Sequence, residues 1–157
     1  SLYHKFADEF AERSLGLKTG DPFDEDSFYG PLINKQQYDK VLGFNSMVFN
    51  DSEADVLLVG VELEPDGLFL SPTVYKTEWI DVLYLKIELF GPHVSIIPNK
   101  TVTEAIDIYN DTDYGLALGV VTENFRVARL IRNRWDFGLG YWMVVVSQQK
   151  AISDLVE

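Results

Sequence analysis

The sequence predicts an α/β fold, a mainly parallel sheet with helices on both faces. Two observations carry the class. From Val94 to Val146, apolar runs of strand length alternate with amphipathic stretches of helix length, in the order strand, helix, strand, helix, strand. Strands joined by a single helix must lie parallel, with right-handed crossovers, which places the helices over the sheet. Earlier in the chain, Val56 to Val59 is a continuous apolar run ending at Gly60, the pattern of a strand covered on both faces. The chain has 157 residues, 46% of them hydrophobic and 24% charged, so it can bury a core of its own and is too apolar for disorder. It reads as a single domain over residues 1–157.

In chain order, Leu2, Phe6 and Phe10 recur every four residues, with Tyr3, Ala7 and Leu17 nearby. That writes an apolar stripe along a first helix, which Gly16 and Gly20 help to end. Lys18 to Asn34 is rich in Gly, Pro, Asp and Ser and has no period, so it reads as a long surface loop carrying Asp21, Asp24, Glu25 and Asp26. A second helix follows, with Tyr38, Val41, Leu42 and Met47 as its buried side. Pro65-Asp66-Gly67 marks a turn. Leu68 to Tyr75 is extended, with Pro72 at an edge or bend because proline has no N–H to give to a ladder.

The second half is more regular. Val94 to Ile97 is a strand. Thr101, with Glu104 three residues on, forms a capping box for a helix running to Asn110. Gly115 suits a left-handed turn, and Leu116 to Thr122 is a strand. Glu123 to Trp135 is a helix whose apolar face is Phe125, Val127, Ala128, Leu130 and Ile131, and Gly138 to Val146 is a strand. No internal repeat or low-complexity tract is present.

The run Glu88-Leu89-Phe90-Gly91-Pro92 is followed, one strand and one helix later, by Asn110-Asp111-Thr112-Asp113-Tyr114-Gly115-Leu116-Ala117-Leu118-Gly119. Upstream stand Gly20-Asp21-Pro22-Phe23, Gly30-Pro31-Leu32-Ile33 and Ser71-Pro72-Thr73-Val74. In this order the blocks resemble the aldehyde dehydrogenase superfamily over residues 2 to 142, in the C-terminal part of its catalytic domain. The resemblance implies a fold like that catalytic domain. It also implies a parent reaction: thiol attack on an aldehyde, hydride transfer to NAD or NADP, and hydrolysis of the thioester. In that family the motif's glutamate hydrogen-bonds the nicotinamide ribose hydroxyls, and the phenylalanine two residues later packs beside the ring. Glu88 and Phe90 are therefore the candidate cofactor-binding residues. Taken without the neighbouring blocks, Glu88 is a surface carboxylate and Phe90 ordinary core. The family's cysteine nucleophile, glutamate base and dinucleotide-binding half lie upstream of the segment that begins at Ser1. No catalytic residue is assigned here, and the chain alone is expected to bind no cofactor. The end departs from the family: Met143 stands where an Asn is usual, and Val144 to Gln149 lacks the glycine-rich continuation.

Other chemistry is sparse. The chain has 25 acidic against 13 basic residues, a net charge of -12, which repels nucleic acid and anionic lipid. The absence of cysteine excludes disulfides, Cys-ligated metals and any thiol mechanism within the chain. The Asp21–Asp26 loop lacks the EF-hand pattern and reads as a solvated acidic loop rather than a calcium site. His4 sits on an exposed helix. His93 reads as a strand-end histidine bonded to backbone rather than a local acid or base. Neither has a second ligand at metal-like spacing, so no metal residue is assigned. Ser71, Ser95 and Ser147 lack a nucleophile elbow. Arg126, Arg129, Arg132 and Arg134 read as a solvated or salt-bridged helix flank rather than a phosphate site. Trp135, Phe137, Tyr141 and Trp142 read as core packing or a subunit interface.

Nothing in the sequence approaches the ~20 apolar residues that span a bilayer, and Ser1-Leu2-Tyr3-His4-Lys5 is not a signal peptide, so the cytoplasm is expected. With no initiator methionine, Ser1 reads as a processed, tagged or excised boundary. The reading is a fragment or derivative of an NAD(P)-dependent aldehyde dehydrogenase, catalytically incomplete by itself. Its expected partner is a second copy or the missing remainder of the enzyme. The alternative is a non-enzymatic structural or interaction module that keeps the fold; a small independent enzyme built on the Asp21–Asp26 loop ranks last.

Overall fold

The computed structural model describes residues 2–63, 67–134, 136 and 138–143. They fall into two compact units, one within residues 1–98 and the other within residues 99–157.

The first unit is a three-layer arrangement. Helix α1 (Leu2–Leu15) and helix α2 (Lys35–Phe49) precede strand β1 (Asp55–Leu58) and strand β2 (Thr73–Lys76); a short helix α3 (Leu83–Lys86) and strand β3 (His93–Ile96) follow. The sheet order is β1-β2-β3, with β1 antiparallel and β3 parallel to β2. Successive residues of central β2 point to opposite faces. Val74 packs with Ala7 of α1 and Ile96, while Tyr75 packs with Phe44 and Val48 of α2, Tyr84 of α3 and Leu89. Helices thus cover both faces, and the continuously buried strand is β2, Thr73 to Tyr75. The run Val56 to Val59 is instead half-exposed: β1 lies at the edge, bulged between Val56 and Leu58. Pro72 sits directly before β2, where its missing N–H costs no ladder bond.

Two helix stripes differ from the sequence reading. On α1 the buried positions are Ala7 and Ser14, with Tyr3, Phe10 and Ala11 packed alongside. Leu2 and Phe6 are 83% and 54% exposed. The stripe seated on the sheet starts from Tyr3, and one residue is 100° of helix turn, enough to carry Leu2 and Phe6 off it. On α2 the buried set is Tyr38, Val41, Phe44, Asn45 and Val48; Leu42 is only half-buried and Met47 is exposed, one position off the same stripe. Asn34 caps α2 by accepting from the Gln37 N–H at 2.8 Å. The acidic loop before it is held by its own side chains: Asp21 accepts from the Phe23 N–H, and Asp24 from the Asp26 N–H and from Lys18.

The second unit holds helix α4 (Val102–Asn110), strand β4 (Ala117–Val121), helix α5 (Phe125–Arg132) and strand β5 (Leu139–Met143). β4 and β5, joined by α5, pair in parallel from Ala117↔Leu139 to Val121↔Met143. Thr101 caps α4 by accepting from the Glu104 N–H, and Glu104 reaches back to the Lys100 N–H at 2.6 Å, one residue beyond the usual capping-box donor. β4 alternates, burying Leu118 and Val120. On α5 Ala128 is the buried residue, Val127 and Ile131 are half-buried, and Phe125 and Leu130 are exposed. Gly115 does not adopt the left-handed conformation; no described glycine has positive φ. Its carbonyl accepts instead from the Gly138 N–H, extending the β4–β5 ladder. Pro65, Asp66, Trp135, Phe137 and Val144 to Gln149 lie outside the described residues.

Candidate functional site

Glu88 and Phe90 lie on the segment joining α3 to β3, which α2 holds from one side. Lys40 Nζ donates to the Glu88 carbonyl at 2.8 Å. The Gln37 side-chain amide donates to the carbonyls of both Leu89 and Phe90, the latter at 3.2 Å. Leu89 is buried in the α2–α3 cluster. Side chains alternate around it, so Glu88 and Phe90 both point out: Glu88 is exposed and Phe90 is 76% exposed. A core role for Phe90 is thereby ruled out.

The loop then turns sharply back. Phe90 has φ of 51°, the left-handed region in which a residue with a Cβ is strained. Gly91 follows where α2 comes closest: a Cβ there would lie 2.6 Å from Val41 Cγ2. The Pro92 carbonyl accepts from the Thr73 N–H at 2.9 Å, tying the loop's end to β2.

His93 is bonded through its ring rather than to backbone as the sequence suggested. Nδ1 lies 2.8 Å from Asn45 Oδ1 and Nε2 lies 3.0 Å from the Tyr75 hydroxyl. Burial pushes its pKa down to about 4, so the ring is neutral at ordinary pH. The Tyr75 hydroxyl is raised well above its usual value by burial. The partly buried Tyr84 hydroxyl is pushed up to about 12, by burial and then by the Asp51 carboxylate it donates to at 2.8 Å. None of these groups is poised for proton transfer near neutrality.

Sequence reasoning missed Gln37, Lys40, Asn45 and Tyr75. Gln37 and Lys40 flank the apolar stripe of α2 and carry no motif of their own; a polar Asn45 inside that stripe was the available signal. His4 is exposed, as expected, and the four arginines of α5 and its end are exposed. Tyr141 is 67% exposed, which excludes core packing for it; the side chain of Trp142 lies outside the description. Among the described residues no three His, Cys, Asp or Glu side chains are arranged to hold a metal, and no helix is long and apolar enough to cross a membrane.

The model of the aldehyde dehydrogenase family matches residues 1–152. The chain belongs to that family. It is 36% identical over 138 residues to an aldehyde dehydrogenase of Davidiella tassiana, covering 88% of this chain and 28% of that protein. An aldehyde dehydrogenase of Aspergillus niger is 36% identical over 132 residues, covering 84% of this chain and 26% of its own. Among solved structures, succinic semialdehyde dehydrogenase of Streptococcus pyogenes in complex with NADP+ superposes with a TM-score of 0.81 at 26% identity, over 89% of this chain and 30% of that one. Betaine aldehyde dehydrogenase of Staphylococcus aureus in complex with NAD+ gives 0.80 at 28% identity, over 88% and 28%. This aldehyde dehydrogenase chain therefore corresponds to a little over a quarter of the length of the relatives it matches.

Proposed function

We propose that this chain is a segment of the catalytic domain of an NAD(P)-dependent aldehyde dehydrogenase and supplies the surface facing the nicotinamide end of the cofactor. The observation that carries the reading is the pair Glu88 and Phe90, both turned outward on a loop whose carbonyls are fixed by Lys40 and Gln37. An exposed carboxylate fits ribose hydroxyls, and an exposed ring two residues on fits one face of a planar heterocycle. The cofactor, when bound, accepts a hydride. Glu88 would hold and orient it, and Phe90 would limit the ring's tilt. NAD and NADP share this end, so the site does not distinguish them.

The chain has no cysteine, so the thiol that the family's chemistry requires must come from other sequence, and the chain alone is inactive and binds dinucleotide weakly. The whole would be a cytoplasmic oligomer, with residues 1–157 contributing one domain. The alternative of a non-enzymatic module draws on the missing thiol and the unusual end after Met143. The test is a chimera in which this chain replaces the matching segment of the Davidiella tassiana relative. Aldehyde-dependent NADH formation that falls at least tenfold in kcat/KM, about 1.4 kcal/mol, on Glu88→Gln supports the reading. A folded chimera whose activity ignores both Glu88→Gln and Phe90→Ala overturns it.

A further inference from the structure

Leu89 and His93 stand four positions apart and are both drawn inward to the same place. Leu89 belongs to the cluster containing Phe44, Val48, Tyr75 and Tyr84, and the His93 ring lies edge-on to Tyr75 with centroids 5.1 Å apart. Phe90, Gly91 and Pro92 must therefore reverse the chain between them. The pyrrolidine ring fixes φ at Pro92 at about -65°, and Gly91 has no positive φ, so neither residue carries the left-handed bend. It falls on Phe90, whose φ is 51°. Left-handed backbone is unfavourable for a residue with a Cβ and persists only where the surroundings over-determine it.

Gln37 and Lys40 hold the loop's carbonyls from α2, and the His93 ring anchors its far end. The ring's two nitrogens are bonded in opposite directions, to Asn45 of α2 at 2.8 Å and to Tyr75 of β2 at 3.0 Å. Asn45 is 2% exposed and Tyr75 fully buried. An apolar side chain at 93 could fill the same space, but apolar contact is non-directional and would let the chain rotate or slide. Two hydrogen bonds at opposite corners of a planar ring fix its position and its plane together. We propose that the Asn45–His93–Tyr75 link sets where the Glu88–Phe90 loop ends and so holds Phe90 left-handed, making these three the positioning residues for the nicotinamide-facing pair. The part played toward nicotinamide rests on the function proposed above.

Nuclear magnetic resonance on the full chain tests it. His93→Leu keeps the volume and deletes both bonds. The amide order parameters of Glu88 to Gly91 should fall from a rigid value of about 0.85 to below about 0.6. The coupling between the Phe90 N–H and Cα–H should leave its left-handed value, while the Val48 and Val74 amides stay unchanged. His93→Asn, whose amide can still reach Asn45 but not the Tyr75 hydroxyl, should leave the loop looser than in the wild type, as Tyr75→Phe should. If His93→Leu does not fold, Tyr75→Phe deletes the hydroxyl alone and is read the same way. A rigid loop with an unchanged Phe90 coupling in a folded His93→Leu or Tyr75→Phe chain overturns the proposal. Titration with nicotinamide mononucleotide separates it from the cofactor reading. Shifts at Glu88 and Phe90 that His93→Leu abolishes support both; a loop that loosens in the variant when the wild type shows no such shifts keeps the link, and the nicotinamide role then stands or falls with the chimera's response to Glu88→Gln and Phe90→Ala.

Discussion

Lys40 on α2 donates its ammonium to the main-chain carbonyl of Glu88, 48 positions further on, at 2.8 Å. The contact engages the backbone, so the Glu88 carboxylate remains outward while its attachment point is fixed. Gln37, one helical turn before Lys40, does the same for the next two carbonyls. A helix flank thus serves as a rack for the loop.

Gln37→Ala should destabilise the chain by about 1–2 kcal/mol, because the Leu89 carbonyl is partly buried and loses its donor. Urea unfolding followed by tryptophan fluorescence measures this. A change below about 0.3 kcal/mol would show that water replaces the amide at no cost.

Gly91→Ala should cost about 1–3 kcal/mol, since its new Cβ would press on Val41 Cγ2 in a fully buried position. Val41→Ala is destabilising by itself through the cavity it leaves. Combined, the two should cost clearly less than the sum of the single changes, because each relieves the other. Strict additivity in the double-mutant cycle would place the strain elsewhere.

The His93 ring gives stability a pH dependence of defined sign. Its pKa is about 4 in the fold against an ordinary 6.5. Between those values the unfolded chain binds the proton and the folded chain does not, so stability falls as pH drops from about 6.5 to about 4. For this group the loss then levels off, at no more than roughly 3 kcal/mol. Asp51 adds a separate loss at lower pH, since the Glu53 N–H and the Tyr84 hydroxyl hold its carboxyl below the usual range. Urea midpoints at pH 7, 5.5 and 4.5 should decline in the wild type and stay nearly level in His93→Leu. Equal slopes in the two proteins would remove His93 as the cause.

Thr101→Ala should lower stability by about 1 kcal/mol, because the Glu104 N–H at the start of α4 loses the oxygen it donates to at 3.1 Å. Amide exchange across α4 should accelerate more than exchange in α2. Uniform acceleration would mean that the cap acts on the whole chain rather than on its own helix.

Self-association is expected at micromolar concentration, with Tyr141 and Leu139, exposed side by side along β5, in the contact. Light scattering should report more than one chain per particle, and Tyr141→Lys should shift the mass toward monomer. A monomeric wild type that unfolds cooperatively removes the surface from this role.

Much of the architecture was legible because it depends on local rules. The Thr101 cap, the end of α4 at Asn110 and the parallel β4–α5–β5 unit follow from side chains near their own backbone and from connection length. The buried faces of α1 and α2 were less legible. Each carries two adjacent candidate stripes, and which one is buried depends on where the sheet lies, as Tyr3 against Leu2 and Val48 against Met47 show. Val56 to Val59 failed for the same reason, since an apolar run does not say whether its strand is central or at an edge.

The sequence by itself determined the family, through motifs whose order survives without coordinates, and it determined the absence of a thiol. It also named Glu88 and Phe90. Only the tertiary structure decided that both face outward, that Phe90 carries the left-handed turn, and that His93 joins Asn45 to Tyr75. Those three facts depend on residues 18 to 53 positions apart meeting around one short loop. Local propensity holds no information about such meetings, which arise when α2 and β2 close on the chain between α3 and β3.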